Sequence, residues 1–557
     1  MQKLQIWDYI VFLIYFVIVA FYGYWIYHRK KKAQTDSKDF FLAEGALTWW
    51  AIGASLIASN ISAEQFIGMS GSGFKMGLAI ATYEWMAAAT LLVVAIFFMP
   101  IYLKNRIYTM PQFLTQRYNT TVSTIMAVFW LLLYVIVNLT SILFLGALAI
   151  STISGLNFWF CMIGLAVFAI IITLGGMKVI GYTDVIQVFF LTLGGLATTY
   201  LALDLVSEHY NTTGIWNGFS LMMDHADDHF HMVFDKDNPN YLDLPGLTIL
   251  LGGMWIVNLN YWGCNQYITQ RALGADLTTA RNGILFAAFL KLLMPVIVVL
   301  PGIAAFVLYQ EGMFQQEMSV EGDINPDRAY PVLLNLLPVG LKGLSFAALT
   351  AAIVASLAGK ANSISTIFTL DIYKKFFKIE ATEKQLVFVG RIAILVSMGV
   401  AMVIAPFMGI DKKGGFQYIQ EYTGFVSPGI FAIFILGFFW KRTTAKAALV
   451  AAVITFPLSL LLKFLPKWVD LSLLHEYGFA ALNPESALFE IPFIDRIGFV
   501  FLIVAGLMII ISLADPKSKN NPRGLEIDSS MFKPQGAFGV GAAIVCGILA
   551  SLYIIFW

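Results

Sequence analysis

Charged side chains are scarce in this chain. Asp, Glu, Lys and Arg make up 12% of its 557 residues, roughly half of the ~25% usual in soluble domains. So few charges cannot coat the water-facing surface of a chain this long. That excludes a soluble multidomain enzyme and a disordered protein. Neither sign dominates, with 35 basic against 34 acidic residues, so no global field draws nucleic acid. Cysteine is nearly absent: Cys161, Cys264 and Cys546 lie in apolar runs and suggest neither a disulfide framework nor a metal cluster. No Ser/His/Asp arrangement stands out, and no Walker or dinucleotide pattern surrounds Gly175-Gly176. What remains is apolar: 59% of residues are hydrophobic and the mean hydropathy is +0.76. An all-α, polytopic membrane protein is expected.

The first apolar run, Trp7–Tyr27, is followed by Arg29-Lys30-Lys31-Lys32. A cleaved leader carries its charges in front of the apolar stretch. The reversed order predicts an uncleaved helix with its N-terminus outside. Further runs lie near 46–73, 79–103, 121–153, 157–177, 183–206, 245–270, 283–310, 342–372, 387–408, 419–440, 445–464, 493–513 and 537–556. At about 20 residues per span, about fourteen transmembrane helices are expected. The connections expected inside carry clusters such as Arg29–Lys32, Lys104/Arg106/Arg117, Lys178, Arg271/Arg281 and Lys441/Arg442/Lys446. Roughly 23 Lys and Arg then fall inside and roughly 10 outside, the asymmetry the positive-inside rule requires. Both termini and the acid-rich connections 207–244 and 311–337 fall outside, in a multi-pass plasma (inner) membrane protein.

Two runs break the apolar rule. The second reads Gly53-Ala-Ser-Leu-Ile-Ala-Ser-Asn-Ile-Ser-Ala-Glu-Gln-Phe-Ile-Gly68, and the seventh reads Gly252-Gly-Met-Trp-Ile-Val-Asn-Leu-Asn-Tyr-Trp-Gly-Cys-Asn-Gln-Tyr267. Such polarity at membrane depth must face protein or a water-filled cavity. Each run comes first in a group of five, helices two to six and seven to eleven. Interrupted helices at matching positions of two halves point to a transporter's midplane site. Polar packing between glycine-rich helices is the alternative. The implied organisation is 1–45, an extra helix and linker; 46–206, a first group of five helices; 207–244, an outer loop; 245–440, a second group of five; and 441–557, three more helices.

Ionisable residues inside spans are costly and mark function by default. Glu84 lies in the third helix, Asp184 opens the sixth, Lys291 is in the eighth and Lys360 in the ninth. Asp184 also fits an interfacial cap, and Glu84 with Lys291 a buried structural pair. In the functional reading both face one polar cavity, where a carboxylate accepts and an ammonium donates hydrogen bonds to a polyhydroxylated ligand.

The stretches Gly53–Gly73, Tyr83-Glu84-Trp85-Met86, Tyr182-Thr-Asp-Val-Ile-Gln-Val-Phe189, Asn265-Gln-Tyr-Ile-Thr-Gln-Arg271, Phe368-Thr-Leu-Asp-Ile-Tyr373 and Phe416-Gln-Tyr-Ile-Gln-Glu-Tyr-Thr-Gly424 resemble the sodium/solute symporter family, in particular its bacterial sugar carriers. The likeness spans nearly the whole chain. It implies the LeuT-like fold of two inverted five-helix repeats, with one helix before them and three after. It also implies that a sugar is held by Gln65, Glu84, Asn258, Lys291 and Gln420, that Tyr261 stacks on it as the inner gate, and that Met69, Tyr83 and Phe416 form an outer lid. Sodium is implied at the backbone carbonyls of Ala58, Ile61 and Ala352 and at hydroxyls at positions 355 and 356, with Asp184 assisting.

The chain departs from that family pattern in four places. Position 355 is alanine, leaving Ser356 alone; Ala87 replaces a serine; Asn260 replaces an aromatic; and Lys360 stands where an apolar residue is usual. Ser356 and Lys360 are spaced i, i+4 and share a helix face, and one turn is about 5.4 Å. The lysine ammonium is expected near the vacated sodium position, as a tethered cation that replaces or weakens sodium. Pairing with Asp184 or snorkelling is the alternative.

The outer sequence Asp224-His225-Ala-Asp-Asp-His-Phe-His231 has metal-like spacing but no second ligand cluster, and reads as a solvated loop. The expected function is a sodium-coupled symporter of a galactose- or glucose-type hexose, working by alternating access. Weakened or absent sodium coupling, or another small solute, remain as alternatives. A carboxylate solute fits poorly beside Glu84, and a membrane sensor usually carries a soluble signalling domain.

Overall fold

The structure, a computed structural model, describes residues 4–29, 47–175, 177–320, 322–407, 415–525, 527–534 and 536–557. The basic cluster Lys30–Lys32, the linker to 45 and Gly176 lie outside the described residues, as do the side chains of Arg29 and Lys178.

Every apolar run falls on a helix, and we number the helices in chain order. α1 is Ile6–Arg29. α2 comes in two pieces, Trp49–Asn60 and Ser70–Met76, joined through a π-helical turn Glu64–Met69. α3 is Thr82–Val93, continuing to Lys104 through a second π-turn, and α4 joins Thr120–Leu132 to Thr140–Ser154 through a third. α5 is Phe158–Thr173 and α6 is Met177–His209. α7 has three pieces, Gly246–Leu251, Gly253–Cys264 and Gln266–Leu273. α8 is Leu277–Gln310, α9 is Leu341–Thr366 with a π-helical tail Ile367–Phe377, and α10 is Glu383–Ile404. α11 is Gly415–Gly424 and Ser427–Phe439, bent by 53° between the pieces. α12 is Ala445–Phe464, α13 is Phe493–Ala514 and α14 is Gly536–Ile555. Among the described residues, ten helices are long and apolar enough to cross a membrane in one piece, or eleven counting the bent pair. The expectation of about fourteen treats α2, α7 and the short α5 as full spans, which broken or 16-residue helices are not by length.

The packing sorts the helices into an inner and an outer set. α9 is buried from end to end, and α2 and α3 are nearly so. α1, α10, α12, α13 and α14 instead leave large apolar side chains outside, among them Phe21, Val403, Val453, Ile510 and Ile548. An apolar exterior of this extent is a lipid face. The first and last described segments lie at one end of the bundle. Asp8 accepts hydrogen bonds from the amides of Gly340 (2.8 Å) and Gly343 (3.1 Å) at the start of α9. The Met232 amide donates to the Phe556 carbonyl at 2.7 Å. The long connections meet there too, through Tyr210 Oη donating to Glu311 at 3.0 Å. The metal-like histidine segment packs into this end: His229 stacks on Phe306 with centroids 3.9 Å apart, and its Nε2 lies 3.1 Å from the Phe74 carbonyl oxygen. It is therefore partly buried rather than a freely solvated loop, and no three potential ligands cluster among the described residues.

At the opposite end the basic residues do more than sit in loops. Arg117 donates to the carbonyls of Gly437, Trp440 and Thr443, and Arg281 to those of Ala95 and Met531. Gly437 lies in the last turn of α11, where carbonyls lack a donor within their own helix; the other acceptors lie in the α3 π-turn and in the connections after α11 and before α14. Arg271, counted with the loop charges in the sequence, is wholly buried in the last piece of α7.

The two polar spans are interrupted differently. In α2 the chain leaves helical geometry at Ile61, with φ −77° and ψ 117°, inside the polar run. In α7 the core Gly253–Cys264 is a regular helix, and the breaks flank it at Gly252 and Asn265. The second is pinned from α4: Tyr134 Oη donates to Asn265 Oδ1 (2.6 Å) and accepts from the Gln266 amide (3.1 Å). Tyr134→Phe leaves both groups buried without that partner. We expect a loss of about 1–3 kcal/mol, read as a lower thermal unfolding midpoint in detergent; an unchanged midpoint would show that the break needs no pin.

Candidate functional site

The α2 break redistributes hydrogen bonds. In a continuous helix the Ser62 amide would donate to the Ala58 carbonyl and the Gln65 amide to that of Ile61. Instead Ser62 N donates to Gln65 Oε1 at 3.0 Å, and Gln65 N donates to the Ser62 carbonyl at 3.2 Å. The Ser62 hydroxyl accepts from the Glu64 amide at 3.2 Å. The carbonyls of Ala58 and Ile61 thus lose their helical donors. Gln65 does two jobs at once: its oxygen caps the break and its NH2 group remains a donor.

Beside this break lies a buried polar cluster. The Lys291 ammonium of α8 donates to Glu84 Oε2 of α3 and to Asn60 Oδ1 at the last residue of the first α2 piece. Asn60 Nδ2 donates to Tyr261 Oη of α7 at 3.0 Å. The ammonium lies 5.1 Å from the Trp262 ring centroid, a cation–π contact. Four helices therefore converge on one charge pair and one amide. Glu84, Lys291 and Asn60 are each under 7% exposed. Asn258, also buried, donates from Nδ2 to the Met254 carbonyl one turn back, at 3.3 Å. Gln420 lies half-buried on α11, which packs against the Glu64–Met69 turn. Of the replaced positions, Ala87 is buried in α3, and Asn260 Oδ1 is buried with no partner among the described residues.

Met69, Tyr83 and Phe416 are all buried, and the Tyr83 and Phe416 rings meet edge to face with centroids 5.0 Å apart. Gly68 permits this approach, since a Cβ there would lie 2.8 Å from the Phe416 amide nitrogen. These three side chains thus form a closed apolar cover over the end of α2 that faces the long connections. Tyr261 on the opposite side is half-buried, with Tyr267 edge-on at 5.7 Å.

One helical turn from the break is a second charged cluster. α6 begins at Met177, so Asp184 lies about two turns inside it. It neither opens the helix nor caps an interface. Asp184 accepts from Ser55 Oγ at 2.6 Å and lies 3.9 Å from Arg271, whose Nε donates to the same Ser55 hydroxyl at 2.8 Å. Lys360 does not pair with Asp184 or snorkel. It is buried, and its ammonium donates to Ser356 Oγ at 3.1 Å, while that hydroxyl donates to the Ser59 carbonyl at 3.1 Å. Ala352 and Ala355 line the same buried stretch of α9.

Three participants were not singled out in the sequence: Asn60, Glu64 and Arg271. Asn60 and Glu64 sit inside the polar stretch of α2, so their composition was visible, but their partners come from α4, α7, α8 and α9. The sequence signal for Arg271 is weaker, because a basic residue at a helix end reads equally well as a loop charge.

The buried pair yields a direct test. Lys291→Met leaves Glu84 buried and uncompensated, which destabilises by about 3–5 kcal/mol. Adding Glu84→Gln removes the orphan charge and restores most of that loss. Thermal unfolding of both variants checks this; a double variant as unstable as the single one would show that the two side chains are not energetically coupled.

Comparison with known proteins fits this geometry. Residues 40–455 match the sodium:solute symporter family. A sodium/glucose cotransporter of Vibrio parahaemolyticus is 47% identical over 561 aligned residues, covering 99% of this chain and 98% of that one. A sodium/myo-inositol cotransporter 2 of Homo sapiens is 34% identical, covering 79% of this chain and 67% of the relative. Among solved structures, a substrate-bound, outward-open sodium-coupled sialic acid symporter superposes with a TM-score of 0.75 at 21% identity, covering 92% of this chain and 98% of that one. Inward-facing Mhp1 gives a TM-score of 0.50 at 14% identity, covering 89% and 97%. These structural likenesses define a LeuT-like transporter fold. The chain is a multi-pass membrane protein and belongs to the sodium:solute symporter family.

Proposed function

We propose that this protein is a sodium-coupled hexose symporter of the plasma membrane, working by alternating access, with both termini outside. The single observation that carries the reading is the convergence of Lys291, Glu84, Asn60 and Tyr261 beside a broken helix. A sugar hydroxyl both donates and accepts, so it matches a site holding an ammonium, a carboxylate and side-chain amides. The naming of the Vibrio relative as a sodium/glucose cotransporter, at 47% identity over nearly the full length, supports the same substrate class. Gln65, Glu84, Asn258, Lys291 and Gln420 are the assigned sugar contacts. Tyr261 supplies the apolar face that stacks on the pyranose ring. Met69, Tyr83 and Phe416 close the outer side.

Sodium is the co-substrate. Its assigned oxygen donors are the carbonyls of Ala58, Ile61 and Ala352 and the hydroxyl of Ser356, with Asp184 nearby through Ser55. The fit is partial: the two α2 carbonyls have lost their helical donors, but Ala355 offers no hydroxyl and Ser356 is already engaged on both sides. Coupling follows from the α2 break. A cation at the Ala58 and Ile61 carbonyls stabilises the open backbone geometry that Gln65 caps; Gln65 in turn holds the sugar, and Asn60 holds Lys291 and Tyr261 beside it. Such a linkage is typically worth about 1–3 kcal/mol. We assign the two inverted repeats to 46–206 and 245–440, each opening with its interrupted helix.

The test is uptake of labelled galactose into proteoliposomes under an inward sodium gradient. We expect accumulation that unlabelled glucose or galactose suppresses and proline or sialic acid does not. Gln65→Ala and Asn60→Ala should each lower uptake at least about tenfold, equivalent to about 1.4 kcal/mol, while eluting as monodisperse protein. Normal uptake by both variants, or suppression by proline alone, would refute the assignment.

A further inference from the structure

Lys360 is a fully buried cation that the sugar cluster does not use. It lies at the meeting of three helices: its ammonium bonds to Ser356 of α9, Ser356 bonds to the Ser59 carbonyl of α2, and the Tyr267 ring of α7 faces the ammonium at 4.8 Å. The charged groups within its reach are Glu64, at the start of the π-turn, and Arg271. Glu64 is itself held by Ser141 of α4, at 3.2 Å. The neighbouring Ala58 and Ile61 carbonyls are those that the break deprives of their amides. The positive charge sits on the α9 hydroxyl that in turn bonds to an α2 carbonyl, the place where a bound metal cation would draw on oxygens of both helices.

We propose that the Lys360 ammonium is a tethered cation standing in the sodium position, so that sodium binds only by displacing it. A hard cation sits at about 2.3–2.6 Å from its oxygen ligands. Sodium on Ser356 Oγ and an ammonium 3.1 Å from the same oxygen would be like charges at close range in a buried site, where screening is weak. The two occupants therefore exclude one another. Ala355 adds to the disadvantage of sodium by offering no second hydroxyl. Glu64 gives the displaced ammonium a counter-charge, so the exchange moves a charge from the α2–α9 junction towards the π-turn. This deepens the symport reading and rests on it only for the identity of the ion.

The test reads ion binding without sugar. Thermal unfolding midpoints of the purified full-length protein in detergent are measured against sodium chloride, with choline chloride holding ionic strength and pH constant. Lys360→Met and Lys360→Gln both remove the charge, and the second keeps a polar chain. We expect both variants to be stabilised by sodium at a concentration at least about tenfold lower than the unsubstituted protein requires, as removal of one close like charge predicts. Ala355→Ser added to either should lower it again. An equal or higher sodium requirement in the variants overturns the proposal, as does the absence of a sodium response in every protein. Failure of galactose uptake alongside the expected sodium shifts would count against the substrate assignment and leave this inference standing.

Discussion

Everything at the centre of this molecule follows from one constraint: a backbone amide inside a membrane protein must find a partner. At Ile61 the chain abandons helical geometry, and the Ser62 amide turns from the Ala58 carbonyl to the Gln65 side chain. That exchange leaves a donor satisfied and two carbonyls available, at a depth where water cannot supply the difference. A helix that ran through this point would have no reason to gather Asn60, Glu84 and Lys291 around it. The mirror event at Asn265 uses a different device, a tyrosine hydroxyl from α4, because the local sequence there offers no residue placed as Gln65 is.

Two charged clusters flank the α2 break, and they have different character. On one side Lys291 and Glu84 neutralise one another, with Asn60 and Tyr261 completing a mixed donor and acceptor surface. On the other, Arg271, Asp184 and Ser55 form a compact buried set that ties α2, α6 and the last piece of α7. Gly359 allows Arg271 to lie against α9, since a Cβ there would approach its guanidinium to 2.6 Å. Isolated charges at this depth would be prohibitive; paired and hydrogen-bonded, they hold the inner helices in register while the lipid-facing helices outside present mainly apolar surface.

How much of this the sequence disclosed depends on the range of the interaction. The α2 break was legible because Asn, Ser, Glu and Gln crowd one apolar span at membrane depth, and the Lys360–Ser356 contact because it is a local i, i+4 relation. Glu84 and Lys291 were visible as costly residues, but their contact, across some two hundred positions of chain, was not. Asn60 is hidden for the same reason: both its partners, Tyr261 and Lys291, lie more than two hundred positions further along the chain. In α7 the polarity predicts unwinding, whereas Gly253–Cys264 stays helical, its Asn258 amide bonding one turn back along the helix. The sequence misplaces Arg271 because a basic residue near a helix end satisfies the positive-inside rule whether it faces the cytoplasm or a buried aspartate.

The central claim is that an open α2 backbone and the Asn60–Lys291–Glu84 cluster together form the solute site. A cryo-electron microscopy structure of the full-length protein in lipid nanodiscs with galactose and sodium tests it most directly. The account predicts pyranose density against Asn60, Glu84, Lys291 and Tyr261, beneath the Met69–Tyr83–Phe416 cover, with α2 non-helical at Ile61. Sugar density elsewhere, or α2 running as an unbroken helix through Ile61, would contradict it.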